Sequence, residues 1–203
     1  MKKYRAYVFD IDGVILDTSL TILDCIKKAV ESNGFSLEER LIDRTLIGPK
    51  IAEIVDNLGL SKRKDNIVRK FRELYDNSPW INTRVYSQGM NLLREVKDQG
   101  SDIFIATNKP KLPTYRLFEY FSLDGFKEIY TPDKYEGKTS SKTDMLAEII
   151  DVNHFSPAEI LFIGDTEGDL NAAIKNKCDF AFASWGYAKN KDEMIRNSTM
   201  VLE

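Results

Sequence analysis

Four short runs of strand-forming residues, set far apart along the chain, constrain the fold more than any other feature. Residues 4–9 (Tyr-Arg-Ala-Tyr-Val-Phe), 102–107 (Asp-Ile-Phe-Ile-Ala-Thr), 159–164 (Glu-Ile-Leu-Phe-Ile-Gly) and 179–183 (Asp-Phe-Ala-Phe-Ala) are rich in apolar residues at successive positions. Strands buried on both faces of a parallel sheet read this way, whereas a strand with one wet face alternates. Helical patterns precede the second and third runs. Leu92, Leu93 and Val96 stand ahead of Gly100, and Met145, Leu146, Ile149 and Ile150 follow Ser141, which with Asp144 three residues on makes a capping-box start. The pattern predicts an α/β protein with a doubly wound, Rossmann-like, mostly parallel sheet whose ligands sit at the carboxyl ends of the strands.

Between about residues 17 and 85 the alternation disappears. Leu23, Ile26 and Val30 share a helical face, as do Ile51, Ile54, Val55 and Leu58, and then Ile67, Phe71 and Leu74. This predicts an all-helical cap at 17–85, inserted into a core made of 1–16 and 86–203. The insert accounts for a length of 203 residues, long for one average domain of about 150 and short for two. Charge narrows the partners: 29 Lys+Arg against 32 Asp+Glu gives a net −3, with no overall positive field for nucleic acid or an anionic membrane. No apolar run approaches the roughly 20 residues needed to span a bilayer, and Met1-Lys2-Lys3-Tyr4-Arg5 does not lead into a signal-peptide core. The expectation is a cytoplasmic protein without nucleic-acid or membrane partners. Cys25 and Cys178 make no disulfide framework or zinc site. His154, the single histidine, reads as a surface residue.

The polar residues of interest fall at strand ends or helix starts. Asp10 and Asp12 follow the first strand, Thr107-Asn108-Lys109 the second, and Asp165, Thr166 and Asp169 the third, while Lys142 opens a helix. A parallel sheet delivers all of them to one edge. Four carboxylates in one pocket repel unless a hard cation neutralises them, and oxygen-only ligands with room for water favour Mg²⁺. A cation, a lysine and a hydroxyl converging at a helix N-terminus make a site for a transferring phosphoryl group.

Val8-Phe9-Asp10-Ile11-Asp12-Gly13-Val14-Ile15-Leu16-Asp17-Thr18 resembles the first motif of the haloacid dehalogenase superfamily of phosphatases, in the phosphoglycolate-phosphatase-like branch with a helical cap. Ile105-Ala106-Thr107-Asn108-Lys109 is similar to the second motif, Lys142 to the third, and Ile163-Gly164-Asp165-Thr166-Glu167-Gly168-Asp169 to the fourth. Ile47-Gly48-Pro49 and Trp185-Gly186-Tyr187 also resemble that branch.

The resemblance implies a Mg²⁺-dependent phosphomonoester hydrolase acting on a small phosphorylated metabolite through an aspartyl-phosphate. Asp10 is the implied nucleophile and Asp12 the acid and base. The implied metal set is the Asp10 carboxylate, the Asp12 carbonyl and Asp165, with Asp169 as a further ligand or anchor. Thr107, Asn108 and Lys142 are the implied phosphate binders. Lys138 is the alternative to Lys142, which is preferred because the Ser141 start places it in the first helical turn. In the cap, Lys50, Arg44 and Arg72 could face the substrate, although an unpaired cation on an insert is more often solvated; Lys50 is the candidate for substrate selectivity because it follows Gly48-Pro49. Trp185 and Tyr187 are open between packing the core edge and bordering the pocket. A phosphosugar mutase of the same superfamily is the runner-up. A phospho-receiver domain shares the residue types but needs no helical insert.

Overall fold

The computed structural model describes residues 3–38 and 42–203. Its main sheet contains β1 (Ala6–Phe9), β4 (Asp102–Ala106), β5 (Glu128–Tyr130), β6 (Ile160–Gly164), β7 (Asp179–Ala183) and β8 (Met200–Leu202). They lie in the order β5-β4-β1-β6-β7-β8, every neighbouring pair parallel. The first strand is central: Phe9 is in register with Ile105 on one side and Ile163 on the other. This puts the ends of β1, β4 and β6 side by side.

The apolar runs explain the layering. Tyr7, Phe9, Ile103, Ile105, Leu161 and Ile163 enter one core with α4 (Ser87–Asp98) and α5 (Lys111–Phe121). Their alternates Ala6, Val8, Phe104, Ala106, Ile160 and Phe162 enter the other, with α6 (Lys142–Asn153), α7 (Glu167–Asn176) and α8 (Lys191–Asn197). Each strand therefore buries both faces, as continuous apolar runs require.

After β1 the chain forms a two-residue strand, β2 (Leu16–Asp17), antiparallel to β3 (Arg84–Val85). Between them lie α1 (Ser19–Glu31), α2 (Ile51–Asn57) and α3 (Lys64–Tyr75), with two 3₁₀ turns at Arg44–Leu46 and Ser61–Arg63. Ile22, Ile26, Ile54, Val55, Ile67 and Phe71 bury together in a third apolar cluster. The helical insert thus has its own core and leaves the sheet domain through the β2/β3 ribbon.

Several polar turns fix where helices begin. Ser141 caps α6 reciprocally with Asp144, as the sequence suggests, and Thr166 does the same for α7 with Asp169. His154 is exposed, in the left-handed conformation that ends α6. Cys25 is buried in α1 and Cys178 half-buried just before β7, both as free thiols. Among the described residues no helix is long and apolar enough to cross a membrane.

Candidate active site

The carboxyl ends of β1, β4 and β6 and the first turn of α6 bring Asp10, Asp12, Thr107, Lys109, Asp165, Asp169 and Lys142 to one edge. The Lys142 ammonium, 5% exposed, donates to Asp10 Oδ2 at 2.6 Å and to Asp169 Oδ1. Lys138 is exposed, so of the two candidate lysines Lys142 is the one in the site. The rest of Asp169 is occupied: Oδ2 accepts from the Thr166 hydroxyl at 2.7 Å, the Thr166 N–H at 3.1 Å and the Asp165 N–H at 3.3 Å. Asp169 therefore anchors the loop and Lys142.

Asp12 faces away from this group. Its Oδ1 accepts from the Thr18 hydroxyl at 2.6 Å, and its Oδ2 lies 3.2 Å from the Lys109 ammonium. Lys109 also donates to the Tyr75 hydroxyl at 2.5 Å and sits 4.5 Å from that ring's centre. Two carboxylates one residue apart thus have different partners, because Gly13 turns the chain between strand and cap. Its φ is +79°, and a Cβ there would lie 1.9 Å from Asp165 Oδ2, so both conformation and space demand glycine.

Fit to a cation rests on two buried oxygens. Among the described residues, Asp10 Oδ1 and Asp165 Oδ1 are buried without a hydrogen-bond partner, a costly arrangement unless something else completes them. Oxygens of Asp10, Asp165 and Asp169 lie within 4.8 Å of one another. Burial pushes Asp10 up to about 7, aided by Asp169 and Asp12 and opposed by Lys142. Burial raises Asp165 too, with Asp169 and Asp10 adding to it against the Tyr187 N–H. Burial pulls Lys142 down, but Asp10 and Asp169 outweigh it and hold the ammonium above its usual range. For Lys109, burial wins over Asp12 and lowers it. Four carboxylates against two ammonium groups leave a charge that a divalent cation would balance, and the all-oxygen donor set fits a hard one.

A small cavity of about 60 Å³ opens onto Asp10, Asp12, Thr107, Asn108 and Lys142. Its cap side consists mainly of Ile22, Ile47, Ile51, Ile54 and Phe71, with Arg72 and Tyr75. Asn108 Nδ2 donates to the Gly48 carbonyl at 3.0 Å, joining core to cap over the cavity. Lys50 is half-buried at the N-terminus of α2 and does not line the cavity, although Gly48, Pro49 and Ile51 do. Arg72, the cap cation that could face either substrate or solvent, does line it, because α3 turns it toward the core.

Thr18, Tyr75 and Lys109 are site residues that the motif reading did not single out for a role. The signal for Lys109 was its place directly after Thr107-Asn108; none marked Tyr75 beyond helical periodicity.

The fold and site together define a doubly wound α/β protein with a helical cap over a buried acidic centre. The family model described as haloacid dehalogenase-like hydrolase matches residues 7–183, and the chain belongs to that family. It is 26% identical over 188 residues to a phosphoglycolate phosphatase of Aquifex aeolicus, covering 91% of this chain and 87% of that protein. It is 23% identical over 195 residues to the tyrosine-protein kinase PtkA of Mycobacterium tuberculosis, covering 96% and 67% respectively. A haloacid dehalogenase-like hydrolase from Streptococcus pneumoniae superposes with a TM-score of 0.87 at 20% identity, over 99% of this chain and 94% of that one. The family and fold expected from the ordered motifs are thus borne out.

Proposed function

We propose that the protein is a Mg²⁺-dependent phosphatase that hydrolyses a small phosphomonoester through a phosphoryl group carried on Asp10. The observation that carries this reading is the pair of unpartnered buried oxygens on Asp10 and Asp165 beside the Lys142 ammonium. The Asp10 and Asp165 carboxylates and the Asp12 backbone carbonyl would hold the ion. When bound, Mg²⁺ would neutralise the carboxylates and stabilise charge on the transferring oxygens.

The Asp10 carboxylate attacks phosphorus, which splits one hard displacement into two easier ones. Asp12, held by Thr18 and Lys109 apart from the ion-binding oxygens, gives its proton to the leaving oxygen. It then takes a proton from the water that releases phosphate. Thr107 and Asn108 at the end of β4 and Lys142 on α6 hold the phosphoryl oxygens. Asp169 keeps Lys142 and the loop after β6 in place. Selectivity is assigned to Arg72 and the apolar cap wall in preference to Lys50, since those side chains meet the cavity. The segment 17–85 acts as a cap that opens for exchange and closes for chemistry.

The small volume of the cavity under the cap favours a metabolite-sized ester over a protein side chain, and a cap that excludes water is also what a mutase would need. A panel of phosphomonoesters with Mg²⁺ tests the assignment. Phosphate release is expected, falling about a thousandfold or more in Asp10→Asn. Full activity in that variant contradicts it. Turnover only with a bisphosphate activator would identify the mutase instead.

A further inference from the structure

Tyr187 does not line the cavity, yet it touches the core, the hinge and the cap at once. Its N–H donates to Asp165 Oδ2 at 2.7 Å. Its hydroxyl accepts from the Thr18 N–H at 2.9 Å and donates to Asp17 Oδ1 at 3.1 Å. Its ring, 2% exposed, lies in the apolar cluster of the cap, with the Arg44 guanidinium 5.0 Å from the ring centre. Arg44 in turn lies 3.4 Å from Asp17 Oδ2. Gly186 makes the approach possible, since a Cβ there would lie 2.3 Å from Asp165 Cβ.

Thr18 shows what this contact accomplishes. It stands at the N-cap of α1, where a threonine hydroxyl usually accepts from the helix. Here it makes no capping bond and donates to Asp12 Oδ1 instead. Its orientation is then set by its backbone, which Tyr187 pins at the point where the cap leaves the core. The same ring is seated in the cap cluster, so displacing the cap displaces the pin.

We propose that Tyr187 is a positioning residue whose hydroxyl fixes Thr18, so that Thr18 holds Asp12 in its proton-donating orientation when the cap is packed around the Tyr187 ring. The inference rests on the phosphatase reading. In the step concerned, the bond from Asp10 to phosphorus forms, the bond from phosphorus to the leaving oxygen breaks, and the Asp12 proton passes to that oxygen. A poor leaving group needs that proton and a good one hardly does.

The test compares kcat/KM for an unactivated alkyl phosphate and for p-nitrophenyl phosphate, both with Mg²⁺. In Tyr187→Phe, which keeps the ring and the N–H to Asp165, the alkyl ester should lose about tenfold or more and the nitrophenyl ester less than about threefold. In a Thr18→Val background the same change should add less than about twofold for the alkyl ester, because the two act through one path. Equal losses for both esters, or no loss, overturn the proposal while leaving the phosphatase reading intact. Failure of the wild-type enzyme to hydrolyse either ester overturns both. If Tyr187→Phe does not fold, Asp17→Asn, which weakens the acceptor of the Tyr187 hydroxyl, decides: a selective loss of about threefold for the alkyl ester supports the pin, and an unselective one overturns it.

Discussion

Asp165 illustrates how a site residue can oppose stability. Its carboxylate is buried, one oxygen lacks a partner, and burial raises it well above the usual carboxylate range. Keeping it charged without a cation therefore works against folding. Asp165→Asn removes that charge and should raise the metal-free melting temperature by the equivalent of about 1 kcal/mol. The rise in melting temperature that Mg²⁺ gives the parent should vanish in the same variant. An unchanged Mg²⁺ response would remove Asp165 from the ion site. Gly13 makes the converse case: Gly13→Ala combines a left-handed backbone with a clash on Asp165. It should lose about 1–3 kcal/mol in urea unfolding and most of its activity.

At this scale Asp10, Asp12 and Asp165 were legible because a carboxylate at the end of an apolar run has one destination in a parallel sheet. Lys109 and Tyr75 were not, because a lysine becomes buried only when a distant segment supplies its partners, here Asp12 and the last residue of α3. Lys50 was misleading for a related reason. Its neighbours line the cavity, but the extended backbone at the start of α2 leaves its own side chain outside the lining.

Among the elements, the first turn of α6 does two jobs. Ser141 and Asp144 satisfy each other's backbone groups, and the helix they start carries Lys142 into the site at its first residue. Ser141→Ala should cost about 1 kcal/mol of stability by losing one cap bond. It should also lower kcat more than it changes KM, because Lys142 moves with the turn; steady-state kinetics and urea titration check the two parts. A parent-like kcat would show that Lys142 is held by Asp10 and Asp169 alone. This capping box could be read in the sequence because its residues are local. β5 and β8 could not, being three residues each at the sheet edges, where pairing with β4 and β7 decides the conformation. The two-residue ribbon β2/β3 joins positions nearly 70 residues apart, and no local pattern announces it.

Taken as a whole molecule, the cap meets the core through polar contacts spread over the site, among them those of Lys109 with Tyr75, Tyr187 with Thr18, and Arg116 with the Asp76 carbonyl. Besides the Asn108 bond to the Gly48 carbonyl, Gly48 has φ +124°, and a Cβ there would lie 2.8 Å from Thr166 Cγ2. Gly48→Ala should hold the cap away from the core, lowering kcat/KM about tenfold with little change in melting temperature. A large loss of stability with parent-like kinetics would place the contact in folding and not in closure. The division of the chain into sheet and helical insert was visible from the switch in apolar periodicity. How tightly the two fit was not, since it depends on single side chains such as Tyr187 crossing between them.

In the proposed mechanism Asp10 carries the phosphoryl group. The decisive experiment quenches the enzyme during turnover of a phosphomonoester with Mg²⁺, reduces it with borohydride, and locates the modified residue by mass spectrometry. Borohydride converts an aspartyl-phosphate to homoserine, so homoserine is expected at position 10, absent without substrate. Steady phosphate release with an unmodified Asp10 under the same quench would contradict it.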